Sequence, residues 1–306
     1  MRILVIGGAG YIGTALVERL AESSAVSKVV IYDNLSRGNY NLFLGEKLSK
    51  TSIISLIQGD VLDTRSLKKA MKDIDIVYHL AARVTTPYAN LDPHIYEQVN
   101  HWGTAEVVSA VEESDVKQLV YLSSTSVYGA SDKQATESTA PNPKTFYGNS
   151  KLRAEQHVQR LVDKGRAAII RAGNVYGFNQ SMRFDAVINR FAFEANFSKK
   201  ISIQGSGKQS RAFVHIDAIS QVLAELPFKE LPSDTYNLAL SNYSVLDLVD
   251  VFKELIPELE FIFVDQHQEL RNFELDTKLK IAKYLNLPET GVLKDELAEF
   301  LGKFSF

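Results

Sequence analysis

The sequence predicts an α/β fold built on a doubly wound parallel sheet, and three observations carry that reading. Short β-branched apolar runs alternate with helically spaced apolar residues through the first half of the chain. The first run feeds a glycine turn that opens into a helix. Residues able to do chemistry gather at the ends of the runs and leave their interiors apolar. Strands of a parallel sheet are covered on both faces, so they read as near-continuous apolar stretches. Their alternation with helices is the mark of βαβ units.

In order, Arg2–Ile6 is the first strand. Gly7-Gly8-Ala9-Gly10-Tyr11-Ile12-Gly13 follows, with Gly7, Gly10 and Gly13 equally spaced, and Thr14–Leu20 has helical spacing. Such a turn needs a tight reversal, close approach of backbone N–H groups to a pyrophosphate, and close packing of helix on strand. Lys28–Tyr32 is the second strand. It ends in Asp33, about 20 residues beyond Gly13, where a carboxylate accepts from an adenosine ribose 2′-hydroxyl and repels a 2′-phosphate. Arg37 would suit the phosphate, but Asp33 stands closer to the strand end and favours NAD. Ile53–Gln58, Ile74–Leu80, Gln118–Leu122 and Ala167–Ile170 are the next strands. Thr64–Met71, Ala105–Glu112 and Lys151–Val162 are the helices between them. Ligands of such sheets bind beyond the C-terminal strand ends, where Gly7, Asp33, Asp60, Ala81, Ser124 and Asn174 fall. Past Ala172 the rhythm breaks into short strands and loops holding Gly205-Ser206-Gly207, Arg211 and Pro257. The expected division is a dinucleotide-binding portion over 1–172, with 212–240 returning to it. A smaller α/β portion over 173–306 would bind substrate.

Tyr147 and Lys151 stand four apart in Tyr147-Gly148-Asn149-Ser150-Lys151, a spacing that puts two side chains on one helix face. An ammonium about 6 Å from a phenol, at an effective dielectric near 20, favours phenolate by roughly 3 kcal/mol. That is about two pKa units below the usual tyrosine value, towards a working acid/base. A third cluster, Ser123-Ser124-Thr125-Ser126, ends the apolar run Leu119–Leu122. Hydroxyls there can bond a substrate oxygen and the phenol across a cleft.

Composition narrows the function classes. The chain has 306 residues, 45% of them hydrophobic, enough for a large core,. A net charge of −3 gives no general pull towards nucleic acid or anionic membrane,. With no cysteine, disulfides, thiolate nucleophiles and Cys-ligated zinc are excluded. The six histidines are scattered without metal-ligand spacing,. Neither a signal peptide nor a membrane span is expected, so the expected location is the cytoplasm. His215 is expected to be partly buried beside Asp217, and Lys199-Lys200 to form a solvated turn. Trp102 and the Phe-rich 191–197 segment are expected to pack in the core or line a helix interface.

Together these motifs resemble the extended short-chain dehydrogenase/reductase family, in its nucleotide-sugar epimerase/dehydratase branch. The resemblance runs through Gly7–Gly13, Asp33-Asn34-Leu35-Ser36, Gly59-Asp60-Val61, His79-Leu80-Ala81-Ala82, Val99-Asn100 and Ser123–Gly129. It continues through Tyr147–Lys151, Arg171–Gly177, Gln209–Asp217 and Tyr236-Asn237-Leu238. It implies a Rossmann-type sheet, NAD as cofactor, a nucleotide-diphosphate sugar as substrate and a homodimer. The implied catalytic residues are Ser124, preferred over Ser123, with Tyr147 and Lys151. The implied cofactor contacts are Gly7, Gly10, Tyr11, Ile12, Gly13, Asp33, Asn34, Asp60, Val61, Leu80, Ala81, Ala82 and Asn100, with Tyr147 and Lys151. The implied substrate contacts are Arg83, Ser124, Ser126, Asn174, Arg211 and Arg271. For the arginines, a bidentate guanidinium suits phosphate.

The chain departs from that pattern where sugar-nucleotide 4,6-dehydratases carry an Asp-Glu pair. Thr125 and Ser126 stand there, and neither ionises at neutral pH, so water elimination lacks its acid and base. Decarboxylases of the branch keep a Glu at the second place, so that reaction is also disfavoured. The expected activity is NAD-dependent 4-epimerisation of a nucleotide sugar. A reductase of a nucleotide-linked 4-keto-6-deoxy sugar is the first alternative. A non-catalytic dinucleotide sensor is the alternative from another class.

Overall fold

The computed structural model describes residues 1–38, 40–44, 51–84, 92–131, 133–265 and 272–305. The chain begins with β1 (Arg2–Ile6), α1 (Tyr11–Glu22), β2 (Lys28–Asp33), β3 (Ile54–Gln58), α2 (Thr64–Ala70) and β4 (Ile76–His79). α3 (Pro93–Tyr96), a π-helical turn (Glu97–Trp102) and α4 (Gly103–Glu112) form one run, followed by β5 (Gln118–Ser124), a 3-10 turn (Thr125–Tyr128), α5 (Phe146–Val162) and β6 (Ala167–Ala172). Then come β7 (Asn174–Tyr176), α6 (Val187–Ser198), β8 (Lys200–Gln204), β9 (Ser210–His215) and α7 (Ile216–Glu225). The last elements are β10 (Thr235–Leu238), β11 (Ser241–Ser244), α8 (Val245–Leu255), β12 (Glu260–Val264) and α9 (Leu293–Leu301).

Seven strands form one parallel sheet in the order β10-β6-β5-β4-β1-β2-β3. Alternate residues of each strand serve opposite faces. Ile3 and Val5 join Leu16 and Leu20 of α1 and Ile219 and Leu223 of α7 in one core layer. Leu4 and Ile6 join Leu67 of α2, Val107 and Val111 of α4, and Val158 and Leu161 of α5 in the other. Both faces are covered, which is why these strands are apolar throughout. The order of the sheet reverses between β1 and β4, where open α/β sheets bind ligands beyond the strand ends.

Past Ala172 the sequence reading is too sparse. Four helices, α6 to α9, stand among the short strands. α6, α8 and α9 pack around Phe191, Phe252 and Phe300 in a third core with Ile201 and Ile203 of β8. β9 pairs with β7 and β11, and β8 with β12, in two small sheets. β10 pairs in parallel with β6, Thr235 opposite Ile169, and so extends the large sheet. Trp102 is not in the core. It is 55% exposed and stacks on His101 with ring centroids 4.7 Å apart. Phe191 is buried, but Phe193 and Phe197 are exposed, in ring contact with Phe304. Lys199 closes α6 in the left-handed region and Lys200 opens β8, so the two do not share one turn. His215 is partly buried, with Nδ1 3.5 Å from the Asp217 carboxylate. Among the described residues no helix is long and apolar enough to cross a membrane.

Candidate active site

A cleft of about 690 Å³ lies across the C-terminal ends of β1, β2, β4 and β5 and reaches into the later portion. Its first wall is the glycine turn. Gly7 has φ +83, and a Cβ there would stand 2.5 Å from Ala81 N. A Cβ on Gly13 would stand 2.3 Å from Gly7 O. Glycine is therefore required at both positions by contact, and at Gly7 by conformation as well. The N-cap of α1 is Gly10, which supplies no side-chain cap. The first amides of the helix thus face the cleft without a side-chain acceptor, an arrangement suited to a phosphate.

At the far end of β2, Asp33 Oδ2 accepts from Ala9 N at 3.0 Å and Oδ1 from Leu35 N at 2.9 Å. The carboxylate braces the glycine turn and still lines the cleft. Asn34 Nδ2 donates to Asp60 Oδ2 at 2.8 Å, tying the ends of β2 and β3, while Asp60 Oδ1 accepts from Leu62 N at 2.9 Å. Tyr11, Ile12, Val61, Leu80, Ala81 and Ala82 also line this part. These residues fit a dinucleotide: an uncapped helix start for the pyrophosphate, and a carboxylate at the ribose position.

The catalytic candidates converge at the end of β5. α5 begins at Phe146 because Thr145 caps it, its hydroxyl accepting from Gly148 N at 3.0 Å. Tyr147 and Lys151 therefore lie one turn apart, and both line the cleft with Ser124. Lys151 is 2% exposed. Its Nζ donates to Leu122 O at 2.6 Å and sits 4.4 Å from the centre of the Tyr121 ring. Burial pushes the ammonium down to about 7, opposed by the Glu155 carboxylate. The expected drop in the Tyr147 pKa is reversed in the protein alone. Burial raises it, with the Ser124 hydroxyl and the Arg183 charge pulling the other way. Desolvation here outweighs a cation whose ammonium is occupied with a backbone carbonyl,.

Of the remaining sequence candidates, Arg83, Asn174 and Arg211 line the cleft. Asn174 Nδ2 donates to Ala212 O at 3.1 Å, and Arg211 Nη1 to Ser210 O at 2.8 Å. Asn100 does not line it. Fully buried, it accepts from Arg83 N at 2.7 Å and donates to Arg83 O and Ser150 Oγ, bracing the loop after β4 against α5. Ser126 also stands outside the lining, its Oγ 3.0 Å from Ser124 Oγ. Arg271 lies outside the described residues. The sequence reading missed Arg183 and Asp185, which pair with each other in the loop before α6 and line the cleft. It also missed Arg190 and Gln209 on the same wall. A charged Arg-x-Asp just ahead of an apolar helix, in a loop already expected to meet substrate, was the available signal. Among the described residues no group of His, Asp and Glu could hold a metal ion.

Comparison with known proteins agrees with this geometry. The human dTDP-D-glucose 4,6-dehydratase (Homo sapiens) is 32% identical over 83% of this chain and 73% of its own length. A putative UDP-glucose 4-epimerase of Methanocaldococcus jannaschii is 28% identical over 92% of both chains. The UDP-glucuronic acid 4-epimerase of Bacillus cereus, solved with UDP-glucuronic acid and NAD, superposes with a TM-score of 0.87. It is 27% identical, covering 99% of this chain and 98% of that one. The glycine turn, the carboxylate at the end of β2 and the Ser124–Tyr147–Lys151 cluster all lie within residues 3–239, the stretch that matches one family model. The chain is therefore an enzyme of the NAD dependent epimerase/dehydratase family, with NAD as its cofactor.

Proposed function

We propose that the chain is a nucleotide-sugar 4-epimerase. The observation that carries this reading is that, among the described residues lining the cleft, no carboxylate stands free at the chemistry. Thr125 is buried and Ser126 is turned onto Ser124, so the two places after the catalytic hydroxyl hold no acid or base. The carboxylates among the described lining residues are Asp33, Asp60 and Asp185. Asp33 holds backbone amides, Asp60 holds Leu62 N and Asn34, and Asp185 is paired with Arg183. Loss of water from a sugar needs a proton donor at the leaving hydroxyl and a base at the neighbouring carbon. Oxidation and re-reduction at one carbon need a single acid/base, which Tyr147 supplies.

In this reading Tyr147 takes the proton of the sugar 4-hydroxyl and later returns it, while Ser124 hydrogen-bonds the same oxygen. Lys151, fixed on Leu122 O, provides positive charge beside the phenol. NAD, when bound, supplies the hydride acceptor and donor and a further positive charge. Arg211 and Asn174 lie on the wall that would hold the nucleotide pyrophosphate. The protein's work is to orient the sugar and exclude water around one proton and one hydride.

The test uses purified protein. An epimerase retains bound NAD and interconverts UDP-glucose with UDP-galactose, or their N-acetyl or uronate relatives, without added cofactor. Net consumption of NADH with a nucleotide-linked 4-keto sugar would replace this reading with the reductase. Formation of a 4-keto-6-deoxy product would replace it with the dehydratase.

A further inference from the structure

Beneath the floor of the cleft lies a buried ion pair that the proton transfer does not touch. Glu155 on α5 is 5% exposed and Arg171 on β6 is 7% exposed. The carboxylate takes Arg171 in a fork, Nε to Oε1 at 3.0 Å and Nη2 to Oε2 at 2.6 Å. Arg171 Nη1 also donates to Tyr128 OH at 2.9 Å, and Tyr128 OH donates to Asn237 Oδ1 at 2.7 Å. The network thus ties together α5, β6, the turn after β5, and β10.

Glu155 also accepts the hydroxyl of Ser123. Ser123 stands between Leu122, whose carbonyl holds Lys151, and Ser124, whose hydroxyl acts on Tyr147. Arg171 is the residue paired opposite Ser123 across β5 and β6. One carboxylate therefore pins the backbone segment that presents both catalytic contacts. It also stands one helical turn beyond Lys151 on the same face. We propose that Glu155, held by Arg171, is a positioning residue that keeps the Lys151 ammonium charged and the Ser124 strand end in register with Tyr147.

A buried ammonium loses hydration and tends to shed its proton. The groups acting on Lys151 are Glu155 on α5, Tyr121 on β5 and His79 on β4, with Arg171 on β6 paired to Glu155, and Tyr147 lies one turn earlier on the same helix. His79 is kept neutral by burial and by Lys151 itself. The Tyr121 phenol is pushed well above its ordinary value. Glu155 is the anion of the set. Its charge favours the protonated form of Lys151.

The proposal rests on the catalytic reading of Tyr147 and Lys151, but its main test needs no substrate. Lysine side-chain NMR on the full chain follows Lys151 directly, the resonance being assigned by its loss in Lys151→Met. In Glu155→Gln the side-chain size is kept and the charge is lost, while one of the two acceptors of the Arg171 fork becomes a donor,. The Lys151 midpoint then moves down by about one pH unit, and the alkaline limb of turnover moves with it. Glu155→Asp keeps the charge and returns the midpoint towards that of the parent protein. If Glu155→Gln alone fails to fold, Glu155→Gln with Arg171→Gln replaces the ion pair by a neutral one and is expected to show a smaller downward movement, because the opposing Arg171 charge is lost as well,. An unchanged Lys151 midpoint in the folded variant overturns the proposal. Failure of the double variant to fold also overturns it, leaving a purely structural pair. An error in the sugar assignment would alter the turnover data and leave the lysine titration standing.

Discussion

The ammonium of Lys151 donates to the carbonyl of Leu122 at 2.6 Å, across the gap between α5 and the end of β5. The cation is held by the sheet, and its helix only delivers it. Tyr147, one turn earlier, remains available to Ser124 and to whatever enters the cleft. Replacing Tyr147 with Phe should leave this arrangement intact and remove the acid/base. Turnover is expected to fall by about 100-fold or more, with bound NAD retained at the parental level. Absorbance of the released dinucleotide and a coupled sugar assay check the two halves.

Gly7→Ala tests the dinucleotide wall. The new methyl meets Ala81 N at 2.5 Å in a backbone conformation of φ +83. The conformation alone costs about 1–2 kcal/mol, and the contact forces the turn away from Ala81. The variant is expected to fold with a lower melting temperature and to purify without NAD. Calorimetry and cofactor content read both effects.

Asp33→Ala removes the acceptor of Ala9 N and Leu35 N and the carboxylate at the expected ribose position. Loss of one such contact is worth about 1–2 kcal/mol, so NAD binding should weaken by about tenfold or more. Discrimination against NADP should weaken further, because the repelling charge has gone. Titration of each dinucleotide into cofactor-stripped protein measures the ratio.

His79 makes stability depend on pH. Burial and the nearby Lys151 charge push its imidazole down to about 3, against about 6.5 in an unfolded chain. The unfolded state binds the proton first, so stability is full above about pH 6.5 and falls as pH drops towards 3. Each pH unit inside that window costs about 1.4 kcal/mol, hence about 2 kcal/mol between pH 6.5 and 5. Urea unfolding at a series of pH values should show that slope, and a His79→Asn variant should show a shallower one.

Much of this fold was legible because parallel strands carry their own signature. Arg2–Ile6 stands where its apolar run placed it, and the neighbouring strands and helices differ from the sequence reading by a few residues at their ends. The Tyr147–Lys151 spacing was legible because both residues share one helix, a local matter. What sequence could not give was the balance of long-range terms. Desolvation reversed the expected shift at Tyr147, and Asn100 turned inward to brace Arg83. Trp102 reached the surface beside His101, since a single large apolar residue carries no direction. Arg183 was missed because its local partner Asp185 does not reveal that the pair faces the cleft, where Arg183 also donates to Val84 O, 99 residues away in sequence.

The edge strand β10 has a consequence for biosynthesis. β6 is complete at Ala172, but the neighbour that covers its outer edge arrives only with Thr235–Leu238. While the intervening residues are still being translated, the large sheet carries an unpaired apolar border next to the buried Glu155–Arg171 network, which lacks its Asn237 anchor. Bare parallel edges recruit other strands. A nascent chain stalled before residue 235 is therefore expected to associate with chaperones or aggregate, whereas one released beyond 240 closes its own border. Ribosome-profiled truncations ending on either side of β10, scored for solubility, would reveal that threshold.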